Sequence, residues 1–393
     1  MVFPERFSNL PEYAFPRLRT LLDGLSPGGD PIAMTIGEPR HAFPPWIAEV
    51  LAQNLHGFGK YPENDGSLAL RSAQAAWLGR RYNADADPAT QILALNGTRE
   101  GLYNACMALC PERKNGQQPV VLTPNPFYQV YAVAALSVGA EPIYLPATEA
   151  TGDLPDFHGL DPDILQRTAI AYICSPANPQ GAVASEAYWE ALITLAEQYD
   201  FKIFADECYS EIYRDNAPTG ALQVAQRMGA DPERVMIFHS LSKRSNLPGL
   251  RSGFCASGPQ NIARMKQLRA YSGAPLPTPL QAVAEAVWTD EDHVIDNRNL
   301  YRVKYKIADD ILGDVQGYKG PEAGFFLWLP VQDAEQATVK LWQETGVKVL
   351  PGSYLAREVG GVTPGHDKIR VAMVAEKEEM RRGLKLLRKT LYD

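Results

Sequence analysis

One lysine in this chain stands among the residue types that covalent aldehyde chemistry needs. In SLSKRSNLPGLRSG, Ser240 to Gly253, Lys243 is flanked by the hydroxyls of Ser240 and Ser242, and Arg251 follows eight residues on. A primary amine so placed can form a Schiff base with an aldehyde, while two hydroxyls and a guanidinium can hold a phosphate. A lone lysine in a polar loop is more often a solvated surface group. The context argues otherwise, because the preceding VMIFHS, Val235 to Ser240, reads as a buried strand feeding the loop.

Other runs pair a strand with a residue that needs a reason to be there. IFADECYSEIY starts as an apolar strand and reaches Asp206, then Tyr209. A charge at that depth needs a partner or a purpose, although capping the next helix would also place an aspartate there. YICSPANPQGAV is a strand followed by a Pro-Asn-Pro turn that contains Asn178. ILALNGTREGLYNA reads as strand, turn and helix, so the backbone N–H groups of Gly97, Thr98 and Arg99 make an anion cradle at a helix start. VVLTPNPFYQVY ends a strand in prolines and aromatics, among them Tyr128. GEPR, Gly37 to Arg40, follows the apolar-leaning PIAMTI, and DKIRVAMV sets Arg370 in a strand-like apolar run. A buried guanidinium is costly unless it meets a carboxylate bidentately or joins an internal salt bridge.

Taken in chain order, the runs resemble the class I and II aminotransferases of fold type I, through SxSKxxxxxGxRxG, SPxNPTG (with Gln180 for the Thr), GGxxxAL, PxPxYxxY and YxxxxGxxxLR. The likeness extends from about Gly37 to Arg370. It implies pyridoxal 5'-phosphate as cofactor, Lys243 as its Schiff-base lysine and later general acid–base, and Asp206 as partner of the protonated pyridine nitrogen. Tyr209 and Asn178 would meet the phenolic oxygen, and Tyr128 would stack on the ring. Gly97, Thr98, Arg99, Ser240, Ser242 and Arg251 would hold the phosphate. Gly37, Asn178 and Arg370 would meet the substrate, Arg370 taking the α-carboxylate. In GKYPENDGSLALR, Tyr61 would reach the phosphate of the neighbouring subunit, which implies a two-fold homodimer with shared sites.

The finer runs NPFYQVY, DECYSEIY, PEAGFFLWLPV and IRVAMVA are similar to those of N-succinyl-diaminopimelate aminotransferases of lysine biosynthesis. That resemblance implies amino transfer between glutamate and an acceptor with a remote carboxylate. Arg99 is the candidate for that second carboxylate, with Arg40 and Arg244 as weaker alternatives. Phe326 stands where tyrosine is commoner. Another aspartate-type aminotransferase, a C–S β-lyase or a non-catalytic regulator that binds the cofactor would carry the same motifs.

The elements that must position these residues follow from pattern. The chain has 393 residues and 45% hydrophobic content, enough for two domains. Strand patterns alternate with helical ones from Pro44 to Trp288, which predicts an α/β large domain over 44–288 with a mostly parallel sheet. Ligands then sit at the carboxyl ends of the strands. Residues 1–43 with 289–393 read as a smaller α+β domain, its charged run from Asp290 to Leu312 a solvated connecting helix without chemistry.

A formal net charge of −8 disfavours nucleic acid as a partner. No helix-turn-helix pattern precedes GEPR, no apolar run has membrane-spanning length, and MVFPERFSNLPEYAF lacks a signal-peptide core. Five cysteines, at 106, 110, 174, 208 and 255, without a CxxC pair predict a reduced, cytoplasmic interior. Cys106 and Cys110 at helical spacing read as core packing, and no metal is expected.

Overall fold

The structure, a computed structural model, describes residues 4–393; the first three residues of the amino-terminal stretch lie outside the described residues. Strands β1 (Ile32–Ala33) to β12 (Lys368–Ala372) include seven that form one sheet: β2 (Ile92–Leu95), β3 (Val120–Asn125), β4 (Glu141–Pro146), β5 (Thr168–Cys174), β6 (Lys202–Asp206), β7 (Val235–Ser240) and β8 (Gly253–Ala256). Their order is β2-β8-β7-β6-β5-β3-β4. Pairing is parallel except at β8, which runs antiparallel to both its neighbours. The exception has a cause. The chain between β7 and β8 carries only the four-residue helix Leu241–Arg244 and a single 3-10 turn, too little for a crossover, so it returns beside β7. The lysine run is that return.

Helices cover both faces of the sheet, so its central strands are buried throughout rather than alternating with solvent. Successive residues still point opposite ways: Ile203 and Ala205 join the core around Trp189 and Trp288, while Phe204 joins that around Tyr131 and Tyr172.

A third core gathers around Ile32, Met34, Tyr305, Phe325, Leu327 and Val371. Its framework is an antiparallel sheet of β11 (Leu350–Pro351), β12 and β9 (Phe326–Pro330), and a parallel pair of β1 with β10 (Val347–Lys348). The amino-terminal helix Ala14–Leu22 sets Leu18 and Leu22 against Trp342 and Tyr354. The charged helix Asp292–Leu312 differs from expectation. Val294, Asn297, Tyr301, Lys304, Tyr305 and Ala308 form a buried stripe at three- and four-residue spacing, and two of those six are polar.

Among the described residues no helix is long and apolar enough to cross a membrane, and no cluster of His, Cys, Asp and Glu could hold a metal ion. All five cysteines are free thiols.

Candidate active site

The carboxyl ends of β2, β3, β5, β6 and β7 open on one cavity of about 360 Å³, walled on its other side by the segment after β1, by Phe326 and by Arg370 of β12. Thr98, Arg99, Tyr128, Asn178, Asp206, Tyr209, Ser240, Ser242, Lys243, Arg251, Gly37 and Arg370 all line it.

Lys243 projects from the short helix that β7 feeds. Its Nζ donates to the Gly37 carbonyl at 2.5 Å and lies 5.5 Å from the centre of the Phe325 ring. Burial pushes its pKa down to about 8, with Arg370 and Arg251 adding to that and Glu38 only partly opposing it. Ser240 caps the same helix, its Oγ accepting from the Ser242 N–H at 3.1 Å and donating to Ser242 Oγ at 3.0 Å. Arg251 donates to the Pro248 and Asn96 carbonyls. Gly97 makes room for it: φ is +84°, and a Cβ there would come within 2.2 Å of Arg251 Nη2. Arg251 and the first turn of the helix Thr98–Leu109 thus share one corner with Ser240 and Ser242.

Asp206, 6% exposed at the end of β6, accepts from the Tyr131 hydroxyl at 2.8 Å and from the Cys208 N–H at 3.4 Å. No cation stands within salt-bridge distance among the described residues, and burial raises its pKa. Tyr209 follows on the same turn, its hydroxyl accepting from Asn178 Nδ2 at 3.4 Å.

Across the cavity Arg370 is 5% exposed. It donates to Asn178 Oδ1 at 3.1 Å and to the Thr35 carbonyl at 2.8 Å, and its guanidinium carbon lies 4.2 Å from the Phe326 ring centre. Its Nε has no partner, and burial lowers its pKa to about 10. An internal salt bridge is thereby excluded, since no carboxylate of the described residues reaches it. Arg99 lies on the opposite wall, donating to the Tyr128 hydroxyl.

The two weaker candidates for a remote carboxylate are corrected. Arg244 points away from the cavity, 2% exposed, bonded to Glu291 at 2.8 Å and to the Val287 carbonyl and packed over Trp288. Neighbours on a helix diverge by about 100°, so a side chain next to Lys243 had to face elsewhere. Arg40 is exposed and lies 3.6 Å from Glu379. Tyr61 lies outside the cavity and is 100% exposed in the single chain.

Tyr131, Cys174, Cys208, Glu38, Tyr13 and Phe15 also line the cavity and were not singled out from sequence. For Tyr131 a signal existed. It stands three residues after Tyr128 in a helical run, which puts both on one face. Nothing in the amino-terminal run marked Tyr13 or Phe15.

A half-buried lysine at a strand-end cavity in a sheet of this order is the arrangement of a fold-type I enzyme. The family model for aminotransferase class I and II matches residues 29–387, and the chain belongs to that family. It is a pyridoxal-phosphate-dependent transaminase. A solved aminotransferase of Neisseria meningitidis Z2491 is 37% identical, with a TM-score of 0.94 over 98% of this chain and 99% of that one. An aminotransferase of Helicobacter pylori 26695 is 32% identical, with a TM-score of 0.89 over 99% of each chain. The LL-diaminopimelate aminotransferase of Desulforudis audaxviator is 31% identical over 359 residues, 89% of both chains.

Proposed function

We propose that this chain transfers an amino group between glutamate or 2-oxoglutarate and a dicarboxylic amino acid of lysine biosynthesis, with N-succinyl-LL-2,6-diaminopimelate the first candidate. The observation that carries the reading is that Arg370 and Arg99 face one cavity from opposite walls, and neither has a carboxylate partner among the described residues.

The residues present fit the cofactor. Asp206 is a buried carboxylate without a cation, suited to a protonated ring nitrogen. Thr98, Ser240, Ser242 and Arg251 form a corner rich in donors and lacking an acid, suited to a phosphate. When bound, pyridoxal 5'-phosphate supplies an electron sink that acidifies the substrate Cα–H. Everything else falls to the chain. Tyr209 and Asn178 would meet the phenolic oxygen, and Tyr128 would flank the ring. Arg370 orients the α-carboxylate and turns the Cα–H toward Lys243, whose amine, pushed to about 8, takes and returns the proton near neutral pH. Arg99 selects for a remote acid.

One second reading has support of its own, and one more shares the site. The name of the Desulforudis relative favours unprotected LL-diaminopimelate as substrate. A C–S lyase would use the same residues with a different substrate orientation. Purified enzyme with glutamate should convert bound cofactor to pyridoxamine phosphate, whereas a lyase releases pyruvate without that conversion. Ranking kcat/KM for N-succinyl-LL-diaminopimelate, LL-diaminopimelate, aspartate and alanine then decides the donor, and a rank with alanine first sinks the dicarboxylate reading.

The same proposal makes the working unit a cytoplasmic homodimer. Fully exposed Tyr61 stands near Leu55, Phe58 and Leu68, large apolar side chains each more than half exposed on the single chain. Free thiols agree with a reducing compartment. The core around Ile32 and Tyr305, distinct from those on the two faces of the large sheet, supports division into 44–288 and 1–43 with 289–393, with Tyr209 and Ile212 of the larger part packing into it.

A further inference from the structure

The buried stripe of the helix Asp292–Leu312 carries an asparagine that reaches the backbone of the lysine. Asn297 is 4% exposed. Its Nδ2 donates to the carbonyls of Lys243 and Arg244, at 3.3 Å each. Its Oδ1 accepts from His41 Nδ1 at 3.0 Å and from Asn246 Nδ2 at 3.1 Å. All four hydrogen-bonding sites of one amide are therefore filled, inside the protein, by groups from two other segments. Full satisfaction of a buried amide fixes its orientation, since a flip would set donor against donor.

Those segments meet again at the amine. His41 belongs to the stretch that begins at Gly37, and the Gly37 carbonyl accepts from Lys243 Nζ at 2.5 Å. Asn246, in the left-handed region at φ +53°, also donates to the Ala42 carbonyl at 3.3 Å. Lys243 is thus held at both ends by one circuit, its backbone carbonyl through Asn297 and its amine through Gly37, with His41 closing the loop. The ring of His41 packs on Tyr301, one turn further along the helix, with centroids 4.6 Å apart. A four-residue helix closes only one turn, here the Ser245 N–H to the Leu241 carbonyl at 3.0 Å, and has no further turn to extend that bonding. Its last carbonyls depend on an outside donor, and Asn297 is that donor.

We propose that Asn297 is a positioning residue for Lys243: from the helix behind the active site it fixes the lysine's backbone, and so the arc through which the amine reaches an aldehyde or a substrate Cα. The proposal rests on the assignment of Lys243 as the reacting lysine. His293, one turn earlier on the same helix, bonds Ser245 Oγ at 2.8 Å and Asp290 and touches neither carbonyl, so it serves as the control.

Three enzymes decide it: wild type, Asn297→Ala and His293→Ala, each as apoenzyme and reloaded. Asn297→Ala should capture pyridoxal phosphate covalently about tenfold more slowly, followed by the appearance of its visible band, and should lose about tenfold in kcat with KM for the amino donor changed less than about threefold. Its affinity for pyridoxamine phosphate, which needs no bond to the lysine, should stay within about twofold, as should every property of His293→Ala. If Asn297→Ala does not fold, Asn297→Asp keeps both acceptor contacts, cannot donate to the carbonyls, and should show the same pattern. Capture rate and kcat within about twofold of wild type would overturn the proposal, and so would equal losses in pyridoxal phosphate capture and pyridoxamine phosphate affinity. If both of those measurements are normal in Lys243→Ala itself, it is the lysine assignment that fails.

Discussion

The hydroxyl of Tyr131 donates to Oδ2 of Asp206 at 2.8 Å, while the Tyr131 ring lies stacked on Tyr172 with centroids 4.5 Å apart. The carboxylate at the end of β6 is therefore aimed by a phenol that cannot swing away. A hydrogen bond to a charged acceptor contributes about 1.5–3 kcal/mol.

Tyr131→Phe should remove that bond with little loss of packing. The hydroxyl stabilises the ionised carboxylate and so lowers a pKa that burial raises. Its loss raises the pKa further, and the acid limb of the kcat profile should move to higher pH. An acid limb that stays in place would show that Asp206 does not titrate in turnover. Asp206→Asn should cost several kcal/mol in the proton-transfer step, read as the rate of half-transamination with glutamate.

Lys243 sets a second pH dependence. Only the neutral amine attacks an aldehyde, and the fraction neutral grows as pH rises through the folded pKa of about 8. Covalent capture of pyridoxal phosphate by apoenzyme should accelerate up to about pH 8–9 and then level off, where an ordinary lysine would still be gaining rate near 10.4. A plateau only above pH 10 would contradict the effect of burial. Lys243→Ala should keep cofactor by its phosphate contacts yet lose turnover by several orders of magnitude.

Arg370→Lys should weaken every amino donor to a similar degree, because an ammonium cannot reproduce the planar fork already bonded to Asn178 and Thr35. The check is kcat/KM for alanine, aspartate and glutamate side by side. Donor-dependent losses would move the α-carboxylate contact to another residue.

Arg99→Ala should spare alanine and cost glutamate and N-succinyl-LL-diaminopimelate about tenfold or more in kcat/KM, measured with cofactor saturating. Equal losses for all donors would mean that Arg99 supports the phosphate corner and Tyr128 rather than the substrate.

What was legible in the sequence was whatever stood at an abrupt change of pattern. Asp206, Lys243 and Arg370 are charged residues at or inside apolar strand runs, and an apolar strand leaves a charge few places to be but a site. The mostly parallel sheet was legible for the same reason, as strands buried on both faces read as continuous apolar runs. The antiparallel β8 was not, because it depends on the length of one connection rather than on composition. Tyr131 was not legible either, because an aromatic on the first turn of a helix reads as core. Nor was the direction of Arg244, because proximity in sequence to Lys243 is not proximity in direction on a helix. Asn297 lies in a stretch dominated by charge, and only its contacts, with residues far away in the chain, separate it from its solvated neighbours.

Arg370 also bears on how this protein responds to selection. The effective penalty for taking an unpaired ion out of water is several kcal/mol, and here no acid of the described residues offsets it. Its bonds to Asn178 and the Thr35 carbonyl bring no opposite charge, and on the proposed reading a substrate carboxylate supplies it. A library sorted for thermal survival alone should therefore enrich apolar replacements at position 370, such as Arg370→Met, and return hardy proteins that no longer turn over. Sorting in the presence of a saturating dicarboxylate should reverse that drift, because the ligand then stabilises the very chains that keep the charge.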